Sequence, residues 1–151
     1  MAVETSHPAN GYRRVLIVED EATLRRIVAR NLTGRGLQVR EADSAEAAVG
    51  AVAEERPDLL LLDINLPDRT GWDVLRELRR RDTEVPTIVI SAVRANPSRL
   101  AEFQPLAYLP KPFPMEALLR LAAEAGQRRS EQITTTAERQ QSPSSEEELH
   151  A

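Results

Sequence analysis

The chain of 151 residues is long enough for one domain with a substantial core, because domains cluster near about 100–150 residues. Its composition is 41% hydrophobic and 29% charged with a net charge of -4, which is typical of a globular protein and gives no basic footprint for nucleic acid. The absence of cysteine excludes disulfides and thiolate metal sites. Residues 1–14 lack a signal-peptide pattern and no apolar run approaches the roughly 20 residues that cross a bilayer, so we expect a cytoplasmic protein without membrane insertion.

Apolar runs and helical patterns alternate along the chain after a polar, irregular lead at residues 1–12. Short β-branched or leucine-rich runs predict five strands, at residues 15–18, 37–42, 58–63, 87–92 and 107–109. Apolar spacing of three and four predicts five helices, at residues 24–32, 43–57, 71–82, 97–103 and 114–129. Asp43 is the predicted cap of the second helix.

This fivefold alternation predicts an α/β domain over residues 13–126, with a parallel sheet, right-handed crossovers and helices on both faces. The four leucines at residues 59–62 show no polar alternation, as expected for a strand that is covered on both sides. Residues 127–151 contain only two large aliphatic residues and no aromatic one. Such a segment cannot bury enough apolar surface to offset its ordering entropy, which predicts a disordered tail.

Polar side chains stand at the ends of four of the five predicted strands. The first strand ends on Glu19 and Asp20, the third on Asp63 and the fourth on Ser91, and Lys111 closely follows the fifth. Taken alone, each acid can be explained as a solvated strand end or a turn residue, and Ser91 can be explained as a helix cap. The presence of a single lysine among 20 basic residues can be explained by chance. In an open parallel sheet, however, the functional crevice lies at the carboxyl ends of the strands, so these groups are expected to converge.

The chemistry of this set points to a hard cation and a phosphate. Three carboxylates at close range repel one another unless a cation offsets their charge. Oxygen ligands without histidine or cysteine match Mg²⁺, with Mn²⁺ as the second choice. A phosphate bound there would need a positive charge and a hydroxyl donor on its other side, which Lys111 and Ser91 can supply, and Asp63 could serve as a carboxylate nucleophile.

Four motifs in this order and spacing resemble the receiver domain of bacterial two-component response regulators: "LIVEDE", "LLLLDINLPDRTGWDVL", "VISA" and "YLPKPF". The segment "EDEATLRRIVARNL" is similar to the first helix of stand-alone chemotaxis-type receivers. The resemblance covers about residues 13–126. It implies a flavodoxin-like, doubly wound sheet of five parallel strands in the order 2-1-3-4-5, with about five helices.

The resemblance also implies the roles of the acids. Asp63 would accept a phosphoryl group from a histidine kinase or a phosphotransfer protein. Asp20 and Asp63 would hold Mg²⁺, with Glu19 acting through water and the backbone carbonyl of Asn65 completing the metal site. Gly71 would supply backbone freedom where the third helix begins.

Three further roles follow from the same resemblance. Ser91 would hydrogen-bond the phosphoryl group and Lys111 would pair with it. Tyr108 matches the aromatic switch of the family, and the Lys111–Pro112 peptide bond is expected to be cis. Phosphorylation would shift the population between two packings that are read on the face of the fourth helix, fifth strand and fifth helix.

One segment departs from the family pattern. Ser91 and Lys111 lie closer in sequence than is usual in receivers, and Pro97 and Pro105 fall between them. A proline inside a helix costs about 3 kcal/mol, so a short or irregular fourth helix is expected. Gln104 also stands where a glycine is common.

These features favour a single-domain response regulator that signals by protein contact. No helix-turn-helix pattern follows the receiver, so no direct nucleic-acid partner is expected, and no enzymatic activity is expected beyond self-phosphotransfer and autodephosphorylation. Asn65 and Val93 would tune the dephosphorylation rate. One alternative is a phosphorylation-independent pseudo-receiver. Another is an aspartate-nucleophile phosphohydrolase, but that class needs a second aspartate two residues after Asp63, where this chain has Asn65.

Overall fold

The structure, a computed structural model, describes residues 12–127, and within them five strands and five helices alternate. The strands are β1 (Arg14–Val18), β2 (Gln38–Ala42), β3 (Leu59–Asp63), β4 (Thr87–Ser91) and β5 (Ala107–Pro110). The helices are α1 (Ala22–Thr33), α2 (Ala45–Glu54), α3 (Gly71–Arg80), α4 (Pro97–Phe103) and α5 (residues 115–127). All strand pairs are parallel and the order is β2-β1-β3-β4-β5, which confirms the predicted topology.

The sheet separates two hydrophobic clusters, and β3 contributes to both. Leu60 and Leu62 pack with α2 and α3 on one face, whereas Leu59 and Leu61 pack with α1 and α5 on the other. All four leucines are fully buried. Burying one such side chain stabilises a fold by about 1.5–3 kcal/mol. Because β3 buries four of them and contributes to both clusters, it is the central strand of the core. It also fixes the position of Asp63, its last residue.

The first turn of α2 differs from the prediction at its cap. The cap is Ser44, whose Oγ accepts a hydrogen bond from the Ala47 N–H at 3.1 Å, and the expectation that Asp43 fills this role is wrong. Both residues are good caps in general. Ser44 has the extended backbone of a cap residue and directly precedes the first helical residue, Ala45.

The fourth helix has seven residues and no buried one, so the prediction of a short fourth helix is confirmed. Its bounds are also the predicted ones, residues 97–103. Pro97 is the first helical residue, where the missing N–H has no intrahelical partner to lose, and Pro105 follows the helix. Gln104 ends the helix with a φ of 47°, in the left-handed region that favours glycine.

Aromatic and cationic contacts hold α4 against α3. The rings of Trp72 and Phe103 stack with centroids 5.9 Å apart. The guanidinium carbons of Arg79 and Arg76 lie 4.7 Å and 5.7 Å from the centre of the Phe103 ring. Arg79 also donates a 2.9 Å hydrogen bond to the carbonyl of Glu102. The helix is therefore attached mainly through its last turn.

The folded part reaches slightly beyond the predicted boundaries. The predicted flexible lead includes Tyr12, but this residue is buried, and its hydroxyl donates a 2.9 Å hydrogen bond to the Ala122 carbonyl of α5. The rest of the predicted lead and the predicted tail from residue 128 lie outside the described residues. No helix in the described range is both long and apolar enough to span a bilayer.

Candidate functional site

The polar residues predicted to converge lie together at the carboxyl edge of the sheet. Glu19 and Asp20 follow β1, while Asp63 and Ser91 are the last residues of β3 and β4. These three strands are neighbours in the sheet, and their parallel registers leave their ends level. Because β3 lies between the other two, Asp63 is at the centre of the group.

The three acids form a compact cluster. Each offers a carboxylate oxygen, and these oxygens lie within 4.8 Å of one another. Glu19 and Asp63 are almost completely buried, at 1% and 3% exposure, whereas Asp20 is exposed. Burying a carboxylate is costly unless a cation or hydrogen-bond donors compensate it, so this edge requires positive charge.

Lys111 supplies that charge. Its ammonium Nζ donates hydrogen bonds to Glu19 Oε1 at 2.5 Å and to Asp63 Oδ2 at 3.0 Å. The backbone places it there, because the Lys111 N–H donates to the Ser91 carbonyl at 2.8 Å. The peptide bond between Lys111 and Pro112 is cis, as expected. The only lysine of the chain therefore joins the ends of β1 and β3.

The electrostatics of this group follow from burial and from these hydrogen bonds. Burial raises the pKa of Glu19 above its ordinary value, although the hydrogen bond from Lys111 opposes the shift. Burial alone would lower the pKa of Lys111, but its hydrogen bonds to Glu19 and Asp63 outweigh this effect and raise its pKa. The ammonium therefore stays charged over the physiological pH range.

The two predicted switch residues are joined through the backbone of a third. The Val93 N–H donates to Ser91 Oγ at 3.1 Å, and the Tyr108 hydroxyl donates to the Val93 carbonyl. Ser91 is fully buried, whereas the side chain of Val93 is among the exposed large hydrophobic side chains of the described range. A change in the position of the Ser91 hydroxyl would therefore reach Tyr108 through one residue.

The loop between β3 and α3 folds back onto Asp63. The Asn65 N–H donates to Asp63 Oδ1 at 3.2 Å, and the Gly71 N–H donates to the Ile64 carbonyl at 2.8 Å. The expectation that Gly71 provides backbone freedom is wrong, because its φ is not positive. Its role is close approach: a Cβ on Gly71 would lie 2.5 Å from the Asp63 carbonyl oxygen.

The structure adds Arg25 to the site, a residue that the sequence patterns did not single out. One of its terminal nitrogens donates to the backbone carbonyl of Glu19 at 2.9 Å, and its Nε pairs with Glu41 at 2.9 Å. One sequence signal pointed to a role for Arg25, because this residue lies one helical turn after Glu21 on the helix that leaves this edge. Its hydrogen-bond acceptor is a backbone carbonyl, however. Every residue has such a carbonyl, so the sequence alone does not identify the partner.

A hard divalent cation fits the donors at this edge. The donors are carboxylate oxygens, which Mg²⁺ prefers at about 2.0–2.1 Å, usually with one or two carboxylates and several waters. The carboxylate of Asp20 is exposed, and within the described residues it takes part in no hydrogen bond or ion pair. It therefore has free lone pairs beside two buried carboxylates that need positive charge.

The strand order defines a flavodoxin-like α/β domain, and its carboxyl edge carries an acidic cluster paired with a lysine. A family model described as the response regulator receiver domain matches residues 15–123. The chain therefore belongs to the response regulator receiver family, as the motifs predicted.

Relatives and solved structures agree with this assignment. The chain is 40% identical over 113 residues to the KDP operon transcriptional regulatory protein KdpE of Escherichia coli K12, covering 72% of this chain and 50% of KdpE. It thus spans about half the length of the curated relatives it matches. A CheY-like receiver from Methanospirillum hungatei superposes with a TM-score of 0.75 at 23% identity, covering 81% of this chain and 99% of that one. The response regulator TrrA of Thermotoga maritima, solved in complex with Mg²⁺–BeF, superposes with a TM-score of 0.67 at 26% identity. The match covers 75% of this chain and 98% of TrrA.

Proposed function

We propose that Asp63 accepts a phosphoryl group from the phosphohistidine of a histidine kinase or phosphotransfer protein. An Asp63 carboxylate oxygen attacks phosphorus, the phosphorus–nitrogen bond of the donor breaks, and its electron pair returns to the imidazole. The product is an aspartyl phosphate. The observation that carries the proposal is the geometry of Asp63, which ends β3, is buried, and has Oδ2 3.0 Å from the Lys111 ammonium.

The neighbouring acids are proposed to hold Mg²⁺, with Mn²⁺ as a substitute. Asp20 and Asp63 would bind the ion directly, Glu19 through water, and the backbone carbonyl of Asn65 would complete the set. A bound divalent ion would neutralise charge on the transferred phosphoryl group. The clustering of three carboxylates supports this assignment, since an acidic edge would otherwise repel a phosphoryl donor.

After transfer, the chain's own residues would hold the new charge. Phosphorylation adds about -1.5 to -2 charges, which Lys111 can pair with from its position beside Asp63. Ser91 would turn its hydroxyl toward the phosphoryl oxygens and release the Val93 N–H that it now accepts. Tyr108, bound to the carbonyl of the same Val93, would then change its position.

The output is proposed to be a protein contact on the face formed by α4, β5 and α5, made by a receiver that acts as a single domain. The attachment of α4, which rests on Phe103 and buries no residue fully, suits an element that shifts between two positions. The alternative is a DNA-binding output, because KdpE is by name a transcriptional regulatory protein and is about twice as long as the matched segment.

The test is incorporation of phosphate from acetyl phosphate, followed by intact-protein mass spectrometry with and without Mg²⁺. Wild type should gain one phosphoryl group only with the metal, and Asp63→Asn should gain none. Asp43→Asn is the matched control, because Asp43 is an exposed acid just after β2 at the same edge but outside the cluster. It should label like wild type.

Each outcome has a defined meaning. Equal labelling of Asp63→Asn would refute the assignment of the acceptor. No labelling of wild type by acetyl phosphate or by histidine kinases would favour the pseudo-receiver. Repeated turnover of a small phosphate ester would instead revive the phosphohydrolase. Substituting Asp20 should raise the Mg²⁺ concentration needed for labelling.

A further inference from the structure

Asp68 caps a helix that precedes it in the chain. Its Oδ1 accepts the Ala45 N–H at 2.9 Å and its Oδ2 accepts the Glu46 N–H at 3.0 Å, both in the first turn of α2. These backbone donors lower the pKa of Asp68 below its ordinary value. Ser44 caps the same turn from within the helix's own segment. The start of α2 is therefore capped twice, once locally and once from the β3–α3 loop.

The loop that carries Asp68 is the one that shapes the phosphoacceptor. It leaves β3 at Asp63, contains Asn65, and returns to the strand end through the close approach of Gly71. A bridge between Asn65 and Thr70 closes its base. Asp68 lies at the tip of this loop, and its hydrogen bonds extend from the tip to another element of the fold.

That element is a rigid anchor. One face of α2 is buried against the sheet, with Ala45 and Ala48 fully buried, and the helix belongs to the same hydrophobic cluster as Leu60 and Leu62 of β3. A carboxylate that accepts the N–H groups of the first two residues of this helix fixes the loop tip relative to the core. A negatively charged carboxylate at a helix N-terminus is also favoured by the helix dipole.

We infer that Asp68 is a positioning residue for the metal site: by capping α2 it holds the β3–α3 loop, and with it the backbone of Asn65, at the distance from Asp63 and Asp20 that the cation requires. The inference rests on the proposed function, because that function places Mg²⁺ at this edge. Asp68 touches neither the cation nor the phosphoryl group, so it sets the affinity for the metal and leaves the chemical step unchanged.

The experiment is a calorimetric titration of the whole chain with Mg²⁺, using Asp68→Ala, Asp68→Asn and the control Ser44→Ala. Losing the outer support of a metal site typically weakens binding at least about tenfold, which is the increase in Kd expected for Asp68→Ala. Asp68→Asn keeps one acceptor oxygen and should fall between this variant and wild type. Ser44→Ala removes a cap from the same helix but leaves the loop tied, so its Kd should equal that of wild type.

Two further readouts separate positioning from a loss of folding. Amide hydrogen exchange at Ala45 and Glu46 should accelerate in Asp68→Ala. At saturating Mg²⁺ the phosphorylation rate with acetyl phosphate should return to that of wild type, because only the metal affinity has changed. A rate that stays low at saturation would overturn the inference.

The remaining outcomes are also decisive. An unchanged Kd in Asp68→Ala, or an equal increase in Ser44→Ala, would overturn the inference and leave the proposed function intact. If Asp68→Ala fails to fold, Asp68→Asn decides the question by the same titration. Absence of Mg²⁺ binding by wild type would instead refute the metal site of the proposed function, and the inference with it.

Discussion

Replacing Gly71 with alanine should destabilise the domain and displace Asp63, the proposed phosphoacceptor. The new Cβ would lie 2.5 Å from the Asp63 carbonyl oxygen and 3.0 Å from the Ile64 Cα, and both are backbone atoms that cannot swing away. Overpacking of this kind costs about 1–3 kcal/mol. The gain from replacing glycine by alanine, up to about 1 kcal/mol, applies to helix interiors, whereas Gly71 is the first residue of α3. We therefore expect the free energy of unfolding to fall by about 1–3 kcal/mol.

Gly50 provides the matched control. It lies in the middle of α2, is exposed, and has no neighbouring atom within 4 Å of a Cβ added there. Gly50→Ala should raise the free energy of unfolding by about 0.5–1 kcal/mol through helix propensity alone.

Urea unfolding measures both variants. With a slope of about 2 kcal/mol per molar, each kcal/mol moves the midpoint by about 0.5 M. The two midpoints should move in opposite directions, because Gly71→Ala loses stability and Gly50→Ala gains it. Labelling by acetyl phosphate should slow in Gly71→Ala and stay unchanged in Gly50→Ala. If Gly71→Ala gains stability as Gly50→Ala does, the close approach does not constrain the loop, and the reasoning is refuted.

Three other substitutions test separate features of the fold. In wild type, burial raises the pKa of Tyr12, so above about pH 10 only the unfolded chain releases the phenolic proton. The free energy of unfolding of wild type therefore falls by up to about 1.4 kcal/mol per pH unit in this range. Tyr12→Phe should remove this loss of stability. Urea midpoints at pH 9 and pH 11 should therefore diverge more in wild type than in the variant, and parallel curves would contradict this. Gln104→Gly should raise the free energy of unfolding by about 0.5–1 kcal/mol, because a φ of 47° is strained for glutamine and not for glycine. A lower urea midpoint in this variant would argue against that strain. Phe103→Ala should lower the free energy of unfolding by about 1–2 kcal/mol, because the ring stacked on the Trp72 indole is lost. The fluorescence emission of Trp72 should shift to longer wavelength. An unchanged emission spectrum would show that the stack is not maintained in solution.

The segment between β4 and β5 shows how far sequence patterns reach. A short fourth helix was predictable, because two prolines and a reduced length leave room for few turns. Its bounds, residues 97–103, were predictable as well, but its attachment to α3 was not, since that depends on which side chains meet after folding. The side-chain cap of Asn96 and the stack of Phe103 on Trp72 decide where this helix begins and how it attaches.

The alternation of elements, the doubly buried leucine strand and the polar residues at strand ends are local properties of the chain. Periodicity encodes them, and the geometry of parallel sheets then brings Asp63 and its neighbours to one edge. The contacts that complete the site are not local. Lys111 meets Glu19 across 92 positions, and Asp68 caps a helix 23 positions before it. Such contacts depend on where loops carry individual side chains after the sheet has formed, and for that reason only the tertiary structure could decide them.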